Sequence, residues 1–350
     1  MKIFHLTTGA PFGGMERQME RLAGLLHQEG FEQRVMFIAN EARASRLSAA
    51  GIIPIEMNYP SRFQFLDRRR INSVIRKFAP DVVVSWVPEM ANLVERGNFT
   101  HIGRLPPASD VTSLVNCEHL FMPATARGGF AFAAGWATDK VHVIPHLPRP
   151  ADAPITPVNR KTYYTPPMAK LIVTAMRLTR DNGLESLLDA VARLSGYYLW
   201  VIGDGADRAF LEAAAHERGV KPRVRFLGWQ DDPAPFIATA DVFAYPAKQD
   251  DVGDAVIEAW AAGAAVVAAD SLGPGLLIKH QENGLLVPVG DVPSMAEAIK
   301  WVCQDSGLAN RVGEAGRLVY RNTYAMDKVA PEYLAMFKQF AAEPSPAPVT

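Results

Sequence analysis

Residues 242–263 read VFAYPAKQDDVGDAVIEAWAAG. Val242 to Tyr245 form a short apolar and aromatic run of the kind found in strands buried on both faces. The strand ends, an acidic loop with one glycine at 253 follows, and a helix starts near Asp254. In open α/β sheets ligands bind beyond the carboxyl ends of the strands, so a loop of this kind is where chemistry is expected. A helix N-terminus suits phosphate because its free N–H groups and its dipole both point at the anion. Glu258 falls about one turn into the helix, where its carboxylate can accept two hydrogen bonds from a vicinal diol such as ribose.

The same rhythm runs outward in both directions. Ile3–Leu6, Val35–Ile38 and Asp81–Val87 read as strands on one side of the chain. Leu171–Val173, Tyr198–Ile202, Val224–Leu227 and Ala265–Ala268 read so on the other, with Leu184–Leu194 among the helices between them. Strand–helix alternation implies mostly parallel sheets covered by helices. The rhythm breaks at 145–167, where seven of the 26 prolines lie within 23 residues, a composition that holds neither a helix nor a central strand. The expected layout is therefore two doubly wound domains, 1–145 and 168–326, joined by a proline-rich linker over 146–167. A tail at 343–350 (EPSPAPVT) is expected to be disordered.

With the motifs in view, the chain resembles the retaining glycosyltransferases of family 4. An acid, seven residues and a glutamate (Asp250 to Glu258) enclose Gly253 and precede Ala261-Ala262-Gly263. Gly13-Gly14 matches the family's first-loop glycine pair, and Ile144-Pro145-His146 its pre-linker motif. Arg177-Leu178, Gly203-Asp204-Gly205 and Phe226-Leu227-Gly228-Trp229 follow in family order. Residues 228–263 look especially like transferases of lipopolysaccharide core assembly.

The resemblance implies a GT-B fold, two Rossmann-like doubly wound domains facing each other across a cleft, with a closing helix near 327–341 crossing back onto the first domain. It implies transfer of a sugar from a nucleotide-diphosphate donor to a cell-envelope glycan or lipid-linked glycan, with anomeric retention and neither metal nor cofactor. Carried over position by position, Glu258 holds the ribose hydroxyls and Asp250 touches the transferred sugar. Main-chain groups near Gly253, Asp254, Gly13 and Gly14 meet the donor and its phosphates. Arg177 neutralises the departing diphosphate, Gly203 and Gly205 form the glycine-rich turn, and the loop at Trp229 seats the base. Arg104 is the match for a catalytic group of the first domain. Preorganised donors aimed at the charge that develops on a leaving diphosphate are a coherent source of catalysis.

Two departures stand out. The family's lysine, five residues after the arginine, is Asn182 here, and Arg180 is the candidate to take over its task. The first acid is an aspartate, shorter than the usual glutamate by one methylene, about 1.5 Å. These departures also suit a second reading, a catalytically impaired GT-B protein acting as a nucleotide- or glycan-binding partner subunit. A third is a nucleotide-sugar epimerase.

Composition excludes other classes. Lys and Arg total 36 against 37 Asp and Glu, a net charge of −1, which leaves no global field for nucleic acid. Two cysteines, Cys117 and Cys303, make no disulfide framework and fit a reducing compartment. No signal-peptide pattern opens the chain and no apolar run nears the roughly 20 residues that span a bilayer, so a cytoplasmic protein is expected. Arg68-Arg69-Arg70 and Arg76-Lys77 read either as a solvated helix face or as weak peripheral adhesion to the inner face of an anionic membrane. His142 and His146 are split by Pro145 and do not share a helix face as zinc ligands would. His101 follows no clear motif, and His119 reads as a core residue.

Overall fold

The computed structural model describes residues 1–8, 13–58, 64–105, 114–123, 135–149 and 154–342. The tail at 343–350 lies outside them, as do residues 9–12 of the first glycine-rich loop. The chain divides into two compact units, Met1–Leu147 with Val329–Thr350, and Pro148–Lys328.

Unit 1 is built on seven parallel strands in the order β3-β2-β1-β4-β5-β6-β7. They are β1 (Lys2–Leu6), β2 (Glu32–Ile38), β3 (Ile53–Met57), β4 (Val82–Ser85), β5 (Thr100–Arg104), β6 (His119–Met122) and β7 (Val141–Val143). The apolar runs at β1, β2 and β4 lie in the centre, as their continuity demands. Phe4, Leu6, Met36 and Val83 pack on one face against Ile71, Ile75 and Phe78 of the helix Gln64–Phe78. Pro54 sits in β3, an edge strand, where its missing N–H costs no ladder bond. β5 escapes a hydrophobicity reading, because its sequence is Thr-His-Ile-Gly-Arg, yet all five residues are buried. It pairs with β4 and β6 on both sides, and its His101 lies 2.8 Å from Ser85 Oγ inside the unit.

Unit 2 has six parallel strands in the order β10-β9-β8-β11-β12-β13. These are β8 (Lys170–Ala175), β9 (Tyr197–Ile202), β10 (Val224–Gly228), β11 (Val242–Tyr245), β12 (Val266–Ala269) and β13 (Leu285–Val287). Alternation divides β8 between two cores. Leu171 and Val173 pack with Trp200, Phe243 and Trp260, whereas Ile172 packs with Leu199, Val242 and the helix Leu184–Ala192. Strand order reverses at β1/β4 in unit 1 and at β8/β11 in unit 2, and ligands of such sheets bind at the carboxyl ends there.

The proline-rich stretch read as a linker is largely fastened to unit 2. Val158 N–H donates to Thr239 Oγ1 at 2.8 Å, Trp200 Nε1 donates to Thr165 Oγ1 at 2.9 Å, and Tyr163 lies edge-on to Trp200 at 5.0 Å. Its residues Arg160–Tyr163 form a turn of 3₁₀ helix. At the other end, the helix Met326–Ala342 joins unit 1, where Gln18 Nε2 donates to the Tyr333 hydroxyl at 3.3 Å and Phe340 packs on His119 at 4.6 Å.

Candidate functional site

The switch point of unit 2 gathers two loops. One leaves β8 at Ala175 and carries Arg177, which is exposed. The other leaves β11 at Tyr245 and runs through Asp250 to the helix Asp254–Ala261. In that helix Val256, Ala259 and Trp260 are buried, which leaves Asp254 and Glu258, four apart, on the half-buried face. Gly253 begins the helix at φ 79°, a left-handed conformation that favours glycine, and a Cβ there would run into Leu277 Cδ1.

The two loops touch. Gly183 has φ 80°, and a Cβ on it would strike the Pro246 carbonyl and lie 3.3 Å from Lys248 Cγ. Asn182, at the position of the family's lysine, turns inward: its Nδ2 donates to the Arg177 carbonyl at 2.8 Å. Gly203 and Gly205, read as donor contacts, are places of close backbone approach. A Cβ on Gly203 would collide with the Met176 carbonyl and one on Gly205 with the Leu178 carbonyl. Leu178 N–H donates to the Asp204 carbonyl at 3.0 Å, so this turn braces the segment that bears Arg177.

Asp250, expected to touch the transferred sugar, is turned into its own loop. Its Oδ1 accepts the N–H groups of Val252 at 2.9 Å and Gly253 at 3.0 Å, and its carbonyl accepts Gly273 N–H at 2.6 Å. The Tyr245 hydroxyl also donates to the Asp250 carboxylate. Burial first, then the charges of Asp250, Asp254 and Glu258, hold the Tyr245 phenol well above its ordinary range, so it stays a donor. The Gly253 amide, among those assigned to the donor and its phosphates, is thus already bonded. A short acid suits this turn, since an aspartate reaches the amides two and three residues on.

Arg180, the candidate to take over the missing lysine's task, already has partners. Its guanidinium lies 3.8 Å from the Phe210 ring centroid and 3.4 Å from Asp207 Oδ1, and its backbone N–H donates to Asp207 Oδ2 at 3.1 Å. These contacts hold it toward the helix Arg208–Glu217. Trp229 follows β10, an edge strand two positions from β8, and its Nε1 donates to Asp231 Oδ1 at 2.8 Å.

In unit 1, Gly13 caps the helix Gly14–Gln28 in an extended conformation, and a Cβ on Gly14 would meet nothing within 4 Å. Arg104 ends β5, buried, with Nη2 3.4 Å from His146 Nε2. Three histidines of the unit, His5, His101 and His119, are held in the interior. His5 Nε2 faces Gln33 Oε1 at 3.0 Å, and its Nδ1 accepts Trp86 Nε1–H at 3.2 Å. His101 lies 2.8 Å from Ser85 Oγ and 3.1 Å from the Asn116 carbonyl. Burial lowers both His5 and His101 to about 4, so each is neutral at physiological pH. His119 Nδ1 and His142 Nε2 are 3.1 Å apart on neighbouring strands. No group of three or more potential metal ligands occurs among the described residues, and none of their helices is long and apolar enough to cross a membrane.

Tyr245 and Lys248 escaped the sequence reading. Both stand in the stretch quoted first; Lys248 meets Gly183, 65 positions away, and Tyr245 faces Asp250, Asp254 and Glu258 of the same stretch, a direction that spacing does not give.

Comparison with known proteins gives a consistent picture. The profile of the family described as "Glycosyl transferases group 1" matches residues 156–319. Two lipopolysaccharide core biosynthesis glycosyltransferases of Rhizobium meliloti, LpsE and LpsD, are similar over nearly the whole chain. LpsE is 31% identical over 96% of this chain and 98% of its own length, and LpsD 30% over 98% and 100%. Among solved structures, HepE of Anabaena in complex with UDP-glucose superposes with a TM-score of 0.84 at 18% identity, covering 97% of this chain and 100% of that one.

Proposed function

The chain belongs to the group 1 glycosyl transferases, of GT-B fold, and on that premise we propose that it moves a sugar, with retention, from a nucleotide diphosphate to a lipopolysaccharide core glycan. The observation that carries this reading is full-length similarity to two core-assembly enzymes, together with the Arg177 and Glu258 loops meeting at the β8/β11 switch point.

In this reading unit 2 holds the nucleotide. Glu258 accepts hydrogen bonds from the ribose diol, the start of the helix at Asp254 faces the phosphates, and the segment after Gly228 borders the base. Arg177 stands where charge grows. As the bond from the anomeric carbon to the diphosphate oxygen breaks, its electron pair stays on that oxygen. The acceptor hydroxyl bonds the anomeric carbon, and its proton ends on the departing diphosphate. The protein supplies position and charge, and these account for most of such a rate enhancement. Arg104 in unit 1 is the group assigned to the acceptor's side of the reaction. Neither metal nor cofactor is assigned a part, since the guanidinium and helix tip already provide positive charge for the diphosphate.

The helix Gln64–Phe78 supports peripheral membrane contact at the inner face. Phe65 and Leu66 are 60% and 46% exposed beside Arg68–Arg70. Glu95 offsets part of that charge, lying 3.2 Å from Arg68 and 3.4 Å from Arg76.

Thermal unfolding with UDP and GDP tests the donor site. A nucleotide at 100 times its dissociation constant adds about 2.7 kcal/mol of stability. Glu258→Ala is expected to abolish that gain while leaving the ligand-free melting point near wild type. Arg104→Ala is expected to keep the gain and lose transfer. A wild-type chain stabilised by neither nucleotide sinks the reading.

A further inference from the structure

Resting on the donor site just described, we propose that Lys248 is a catalytic cation of this chain, its ammonium meeting the departing diphosphate beside Arg177. Lys248 lies exposed in the β11 loop, and its Cγ packs beside Gly183, the residue that follows Asn182. The close approach depends on glycine, because a Cβ at 183 would stand 3.3 Å from Lys248 Cγ and against the Pro246 carbonyl. This contact brings the β11 loop, with Lys248, against the β8 loop that carries Arg177.

The rest of the neighbourhood is consistent with that use. Arg180 is held to Asp207 and Phe210. Asn182 supplies no charge and spends its amide on the Arg177 carbonyl. Asp250, the nearest acid in Lys248's own loop, is engaged by two backbone amides and the Tyr245 hydroxyl, which disperse its charge. Lys248 makes no ion pair among the described residues. An ammonium on a flexible four-carbon stem serves phosphate as a point charge and can follow it as the anomeric bond breaks.

Lys248→Met keeps the stem beside Gly183 and removes the charge, so a merely structural role would leave it silent. Binding of UDP, GDP, UMP and GMP is measured by calorimetry, alongside transfer rate. Lys248→Met is expected to weaken the diphosphate at least tenfold, to leave the monophosphate within about twofold, and to slow transfer about 100- to 1,000-fold. Asn182→Lys, placed in the Lys248→Met background, returns a cation to the adjoining position and is expected to recover at least tenfold of the rate. Arg180→Ala is expected to stay within about threefold of wild type. Equal diphosphate affinity in wild type and Lys248→Met, or a larger loss in Arg180→Ala, overturns the assignment to Lys248. A wild type that binds neither diphosphate overturns the donor site itself and this proposal with it.

Discussion

Units 1 and 2 share a parallel doubly wound sheet but differ in what they bury. Among the described residues, every buried histidine, arginine and carboxylate lies in unit 1: His5, Glu16, Arg43, Asp67, His101, Arg104 and His119. Unit 2 buries only uncharged polar side chains, such as Thr165, Thr174 and Asn283. The same architecture therefore tolerates two interiors, one that adds buried charged and titratable groups to its apolar core and one that leaves them out. Arg43 shows how unit 1 manages a fully buried cation, with Glu20 at 3.3 Å and the Phe37 ring at 5.5 Å. At the carboxyl end of its sheet, glycines let two loops of unit 2 close on each other.

Acid separates the two units most strongly. His5 and His101 titrate near 4 when folded and near 6.5 when unfolded, so the unfolded chain binds more protons between those values. Their contribution is full above pH 6.5 and is lost as the pH falls toward 4, on the order of 3 kcal/mol for each histidine. Hydrogen exchange resolved by segment is expected to show unit 1 opening before unit 2 across that window. Simultaneous opening would remove the distinction.

A smaller effect distinguishes the glycines. Gly183→Ala must place a side chain at φ 80° and against the Pro246 carbonyl, and is expected to cost about 1–3 kcal/mol with a matching loss of transfer. Gly14→Ala in unit 1 meets open space within a helix and is expected to change stability by less than about 1 kcal/mol in the favourable direction. Melting curves of the two variants check both, and similar costs would show that the crowding around Gly183 is unimportant.

The smallest difference lies at the surface. Arg69→Ala on the helix Gln64–Phe78 is expected to weaken binding to vesicles containing anionic lipid by roughly 1 kcal/mol, about fivefold. Lys161→Ala in unit 2 serves as the comparison, and equal losses would remove the special standing of the unit 1 helix.

Much of unit 2 was legible in one dimension. Continuous apolar runs announce central parallel strands, and a strand, an acidic loop with one glycine and a helix announce a switch-point site. β5 was not legible, since Thr-His-Ile-Gly-Arg has no apolar run and becomes a central strand through its two neighbours. The partners of Asp250 and Arg180 were not legible for a related reason, because a motif names a residue type without its orientation.

Sequence alone determined the strand–helix rhythm of both halves, the change of composition near residue 145, and the family to which the Arg177, Gly253 and Glu258 motifs pointed. Those follow from local periodicity and spacing, which survive without knowledge of the fold. Tertiary structure decided that Arg180 faces Asp207, that Asp250 caps its own loop, and that Lys248 packs beside Gly183. The first and last pair residues far apart in the chain, while Asp250 depends on which way a side chain turns. Hydrogen bonds and van der Waals contacts of a few ångströms set both, and neither spacing nor composition encodes them.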